Sequence, residues 1–261
     1  MPWSLSLALS LALVALPSAH AAEPFSHAHL DQVLQTYVDS SGLVDYAALK
    51  ADRQALDTYI AALNATSPDS DPSQFPTPQD KLAYWINAYN AFVLRGVIDH
   101  YPVKSVKDIA LLNGFFNRTD FVAGGKELTL DTIENKIIRP RYQDPRIHFV
   151  VNCGAWSCPA LENRAFDGAT LEQRLDQATR RSLNDPKYAS YDAGRNTFYV
   201  SKILDWYGKD FVEWYPAETP AKPHLMDYIR LYLSPAALAA LEGKEPKVDF
   251  FDYDWRLNGQ N

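Results

Sequence analysis

Residues Lys81 to Tyr101 read KLAYWINAYNAFVLRGVIDHY and are apolar on nearly every side, which predicts a helix buried at the centre of a domain. Upstream, Leu30, Val33, Leu34, Tyr37 and Val38 follow the three–four spacing of a helix with one buried face. They fall in a helical stretch expected from Ser26 to Leu63, turning at Ser41-Gly42. Pro68, Pro72, Pro76 and Pro78 punctuate the polar segment from Thr66 to Pro78 and argue against regular structure there. Gly124-Gly125 predicts a hairpin turn between short strands at Phe121-Val122 and Glu127-Leu128. A helix is expected over Leu128 to Ile138, with Asp131 able to cap its first turn and Glu134 three residues on.

Arg146 to Asn152 (RIHFVVN), bounded by Asp144-Pro145 and Gly154, has the β-branched and aromatic content of a strand. Thr170 to Leu183 reads as an amphipathic helix opened by Thr170 with Gln173 three residues later, and Asn196 to Ser201 as another strand. Helices follow around Leu204 to Phe211, Leu225 to Leu233 and Pro235 to Glu242, before a closing strand over Val248 to Trp255. The sum is an α+β fold: a helix-rich single domain with a small antiparallel sheet.

Composition sharpens this picture. The chain is 47% hydrophobic and carries 6 Trp, 15 Tyr and 12 Phe, enough for a heavy aromatic core. Its net charge of −7, with no basic run, argues against nucleic acid and anionic membrane surfaces as partners and leaves a small-molecule or peptide ligand. Residues 1–21 stand apart. The apolar run Leu5 to Leu16 is shorter than the roughly 20 residues that span a bilayer. Pro17 and Ser18 break it, and Ala19-His20-Ala21 supplies a small-x-small cleavage pattern. The segment reads as a secretory signal peptide, although it has no Lys or Arg; an uncleaved amphipathic or membrane-anchor helix is the alternative. Cleavage leaves residues 22–261 as the domain, in the periplasm or secreted, with no membrane insertion after the leader is removed.

The candidate chemistry concentrates in IHFVVNCGAWSCP, which holds the only two cysteines, Cys153 and Cys158. Three readings stand side by side. A disulfide fits an exported chain with an even cysteine count, although so short a loop gains little from the bond. A nucleophilic thiolate would need a histidine or a helix N-terminus beside it. His148 lies on the expected strand, which must end by Cys153 for the two to meet; Cys158 precedes Pro159, a residue suited to a first helical turn. Inert burial beside Trp156 and Val151 is the third reading. No metal and no cofactor is implied, because C-x4-C lacks a second ligand pair. His27-Ala28-His29 reads as a solvated face or a chance chelate. Asn87 and Asn90 sit three apart within the buried helix, where Asn needs specific hydrogen bonds; they read as a structural network or as a ligand clamp. Glu134 reads as a cap or salt bridge, or as the carboxylate that orients His148.

These residues carry a resemblance. KLAYWINAYNAFVLRGVIDHYPVKSVKDI, LTLDTIENKIIRP, DPRIHFVVNCGAWSCPAL, VSKILDWYGKDF and FFDYDWRLN, spread over about residues 30 to 258, resemble the domain-of-unknown-function family 547. The resemblance implies a fold similar to the papain and transglutaminase-like cysteine hydrolases. It points to Cys153 as nucleophile, His148 as base and Glu134 as orienting carboxylate. Ile133-Glu134 is followed here by Asn135, where many relatives have histidine, and the cysteine does not open a long helix as in the papain type. The expectation is a possible cysteine hydrolase or transferase, with Cys153, His148, Glu134 and Cys158 catalytic and Asn87, Asn90, Asn152 and Trp156 binding. It would act on an amide, peptide or thiol-containing small molecule by acyl transfer. The alternatives are a non-catalytic ligand-binding module using the same pocket and a thiol-redox protein.

Overall fold

The computed structural model describes residues 23–110, 114–214 and 223–260. The leader expected at residues 1–21 therefore lies outside the described residues. Three helices open the described chain: α1 (Ala28–Tyr37), α2 (Tyr46–Ala51) and α3 (Gln54–Ala65). They pack against α4 (Pro78–His100), whose residues from Leu82 to Ile98 are buried except Arg95. Local sequence explains why α4 begins where it does. The Thr77 hydroxyl accepts from Asp80 N, the Asp80 carboxylate accepts from Thr77 N, and Pro78 occupies the first turn, where its missing N–H costs nothing. Among the described residues no helix is long and apolar enough to cross a membrane.

After α5 (Gly114–Asn117), β1 (Phe121–Ala123) and β2 (Lys126–Leu128) form the expected hairpin, with Gly124 and Gly125 both at positive φ. The next helical stretch differs from expectation in two ways. Its cap is Thr129, whose hydroxyl accepts from Thr132 N, so Asp131 is freed to face a cavity. It also widens: α6 (Leu130–Thr132) passes into a π-helical segment, Ile133–Ile138, before α7 (Arg139–Tyr142). The Arg139 amide reaches back five residues to the Glu134 carbonyl. Pro140 has no N–H to continue the ordinary ladder, which accounts for the disturbance at this point.

The expected strand at Arg146–Asn152 is absent. Pro145–Phe149 is a 3₁₀ turn, with the Asp144 carboxylate capping Arg146 N. Every residue from Ile147 to Asn152 is buried. A short run buried on all sides has no alternation, so its periodicity cannot separate strand from turn. No helix begins at Pro159 either; an irregular loop continues to α8 (Leu171–Asn184).

β3 (Ala189–Asp192) pairs antiparallel with β4 (Thr197–Val200). β5 (Lys247–Phe250) then joins β4 in parallel after α9 (Ile203–Trp206), α10 (Gly208–Glu213), α11 (Leu225–Tyr232) and α12 (Pro235–Ala240). This long excursion is what permits a parallel third strand, which a tight turn could not supply. The two hairpins are antiparallel and belong to separate sheets, and the three-stranded sheet is parallel at its β4–β5 edge. Beyond β5 the chain runs as an extended strap. It bridges Ser105 at Arg256, Ala155 at Leu257 and Val44 at Gly259, tying both ends of the domain to the cysteine loop.

Candidate functional site

The cysteine loop is held by amides from three directions. Asn90, 4% exposed in α4, donates from Nδ2 to the Val150 carbonyl at 2.9 Å and accepts from Asn152 N at 2.8 Å. Asn87 makes the same two-way contact with Phe166, at 2.8 and 2.9 Å. Asn152 closes its own loop: Nδ2 donates to the Pro159 carbonyl at 2.6 Å, and Oδ1 accepts from Gly154 N at 2.8 Å. Gly154 turns the chain at φ +78°, and a Cβ there would come within 3.0 Å of Val106 and 3.2 Å of Val93. The strap fixes the outer side, with Trp156 N donating to the Arg256 carbonyl at 2.6 Å and Asn258 N to the Gly154 carbonyl at 3.0 Å. All three asparagines thus spend their amides on backbone, and the hydrogen-bonded network expected of Asn87 and Asn90 is present.

Within this frame Cys153 and Cys158 are bonded to each other. Cys158 is buried and Cys153 half-buried. Both border a cavity of about 330 Å³ between the loop, the π-helical segment, α9 and the strap. One wall is aromatic: Tyr89 from α4, Trp206 and Tyr207 from α9 and its end, and Tyr253 and Trp255 from the strap. Trp206, Tyr253 and Trp255 stack on one another with centroids 4.6 to 5.8 Å apart. Asp131, Glu134 and Asn135 from the widened helix also line the cavity, with Glu134 against the hydroxyls of Tyr89 and Tyr207.

His148 also borders the cavity, with its Nε2 engaged by a carboxylate. Its Nε2 lies 2.8 Å from Asp210 Oδ2, and its ring stacks on Tyr207 at 4.1 Å. Arg139 holds both oxygens of the same carboxylate, at 2.6 and 2.7 Å. Burial pushes the Asp210 carboxyl up, but the bonds from His148 and Arg139 hold it below the usual carboxylate range. The carboxylate that orients His148 is therefore Asp210, in the place the sequence reading gave to Glu134. Glu134 instead stands beside two buried phenols. Tyr89 and Tyr207 are both held well above the ordinary phenol value, first by burial and then by the Glu134 charge, so both remain protonated donors.

Trp156 is not on this cavity. Lys187 lies 4.3 Å above its ring and Arg256 at 5.8 Å, outside the loop. His27, read as solvated, packs beside Phe25 and bonds the Tyr59 hydroxyl at 2.8 Å; burial lowers its ring to about 4. Among the described residues no group of three or more His, Cys, Asp or Glu converges to hold a metal ion. The residues that sequence reasoning missed are Tyr89, Asp131, Trp206, Tyr207, Asp210, Tyr253 and Trp255. Asp210 carried a signal, as a carboxylate between the apolar Tyr207 and Phe211. Tyr253 stands 95 and 100 residues from the two cysteines it touches, a pairing that local pattern did not signal.

Residues 72–183 match the model of a family described as a protein of unknown function, DUF547. The match takes in α4, Glu134, His148 and the whole cysteine loop, and stops short of Asp210 and the strap. No curated protein and no solved structure matches the chain.

Proposed function

We propose that this chain, whose residues 72–183 match the DUF547 family model, binds a small molecule bearing an organic cation. The carrying observation is the charge pattern of the cavity. Among the described residues the carboxylates lining it are Asp131 and Glu134, set among two tryptophans and three tyrosines. Cations near it are already engaged: Arg139 on Asp210 and Lys107 at 4.0 Å over Trp255. Carboxylates lining the same cavity as aromatic rings suit an ammonium or guanidinium carried on an apolar body, through ion pairing and cation–π attraction. A free amine, or a lysine or arginine side chain of a short peptide, meets this description equally.

Thermal-shift titration with benzyltrimethylammonium and with phenylacetate, similar in body and opposite in charge, tests the reading. Stabilisation by the cation alone supports it; stabilisation by the anion, or by neither, refutes it.

Export belongs to the same proposal. Disulfides persist in oxidising compartments, so the Cys153–Cys158 bond supports the reading of residues 1–21 as a leader. A second reading, acyl transfer from Cys153 with His148 as base, draws on one observation: both residues border the cavity. It requires the disulfide to open and His148 to exchange Asp210 for sulfur.

A further inference from the structure

The Cys153–Cys158 bond does little for the shape of its loop. Asn152 already closes the same turn, from Gly154 N to the Pro159 carbonyl, and Asn90 and the strap pin it from both sides. A bridge across so short a loop also adds little stability in principle. Yet the bond is not hidden in the core: both cysteines border the cavity, Cys153 half-buried and Cys158 at 3% exposure.

The buried sulfur is also the better provided of the two. Cys153 N donates to Cys158 Sγ at 3.0 Å. The Tyr253 hydroxyl lies 3.1 Å from Cys158 Sγ and 3.2 Å from Cys153 Sγ. Disulfide sulfurs carry no proton, so the hydroxyl is the donor in both contacts. Burial holds the Tyr253 phenol above its ordinary value, and the charge of Glu134 adds to this, so it stays a donor. Cys158 Sγ thus has the Cys153 amide to itself and shares the Tyr253 hydroxyl with Cys153 Sγ.

We propose that Cys153–Cys158 is an exchangeable disulfide that oxidises small thiols entering the cavity, with Cys153 as the attacked sulfur and Cys158 as the leaving group. A thiolate RS⁻ forms a bond to Cys153 Sγ as the Cys153–Cys158 bond breaks. The electron pair leaves on Cys158 Sγ, where the Cys153 amide and the Tyr253 hydroxyl stabilise the thiolate. A second thiolate attacks the R sulfur of the mixed disulfide and releases RSSR and the Cys153 thiolate. Two RSH are oxidised, and two electrons and two protons pass to the protein as its dithiol. The step is independent of whether the cavity also takes a cation.

The test uses the full chain and glutathione. Intact-mass and near-ultraviolet circular dichroism measurements follow native protein as reduced glutathone is added; the bond should open while the fold is retained. In Cys158→Ser, oxidised glutathione should modify Cys153 at least tenfold faster than it modifies Cys158 in Cys153→Ser, because Cys153 is the more exposed of the two cavity cysteines. Tyr253→Phe should slow reduction of the otherwise native disulfide by about tenfold, the effect of one lost bond to a charged leaving group. A bond that opens only when denaturant unfolds the chain overturns the proposal, as does faster modification of Cys158. An unchanged rate in Tyr253→Phe overturns the leaving-group assignment.

Discussion

Replacing Asn90 with leucine strikes the contact on which the site's geometry depends. The side chain sits in the middle of α4 and serves two backbone groups at once, the Val150 carbonyl at 2.9 Å and the Asn152 amide at 2.8 Å. Leucine offers neither partner, and both groups lie where water does not reach, since Val150 is 2% and Asn152 4% exposed. An unmet buried polar group costs about 1–3 kcal/mol, so the pair amounts to about 2–6 kcal/mol. For a domain of this size each kcal/mol lowers Tm by roughly 2–4 °C, which gives a fall of about 4–24 °C. Differential scanning calorimetry reads this directly. Asn90→Ala separates lost hydrogen bonds from overpacking by the larger leucine, and the exposed Asn163→Ala serves as control, expected within about 0.5 kcal/mol of the parent. If both Asn90 variants melt with the parent, Asn90 does not clamp the cysteine loop and the argument for its preformed shape fails.

Other outcomes follow from the same structure. The His27 ring, lowered from 6.5 to about 4 chiefly by burial, resists protonation in the folded state. Unfolded chains therefore bind the extra proton in that window. Stability should be flat above pH 6.5 and fall by about 2–3 kcal/mol as pH drops to about 4, a slope that urea titrations of His27→Gln should lack. Asp210→Asn leaves Arg139 and His148 facing a neutral amide in a buried setting; equilibrium unfolding should show a loss of about 3 kcal/mol. Asp210 is held below its ordinary value of 3.8, so this contribution is complete above that pH and should decline as pH falls through the depressed value. N-terminal sequencing of exported protein should begin at Ala22, one residue past Ala19-His20-Ala21.

The sequence made the helices legible wherever a periodic face or a cap announced them. α4 was plain because its apolar residues left no polar side, and its two asparagines could only be hydrogen-bonded there. The Gly124-Gly125 hairpin was equally plain, because its glycines take the positive φ that such turns require. The segment before Cys153 was misread for a physical reason: from Ile147 to Asn152 everything is buried, so composition spoke for a strand while Pro145 and the Asp144 cap made a 3₁₀ turn. The candidate site was legible as a list of neighbours and illegible as a cavity. His148, Cys153 and Cys158 lie within eleven residues, yet the partner of His148 is Asp210, and the wall over the sulfurs arrives with Tyr253 and Trp255 at the end of the chain. Pairings of that separation are set by the path of the strap, which local pattern does not encode.

The central claim is that the cavity takes a cation against Glu134 and the aromatic wall. Isothermal titration of benzyltrimethylammonium into the parent and into Glu134→Gln tests it most directly, because the variant keeps the shape of the side chain and removes only its charge. Loss of the Glu134 charge, at about 1.4 kcal/mol for a tenfold step, predicts binding to the parent and at least tenfold weaker binding to Glu134→Gln. Equal affinity for the two proteins, or no heat of binding in either, would contradict the account.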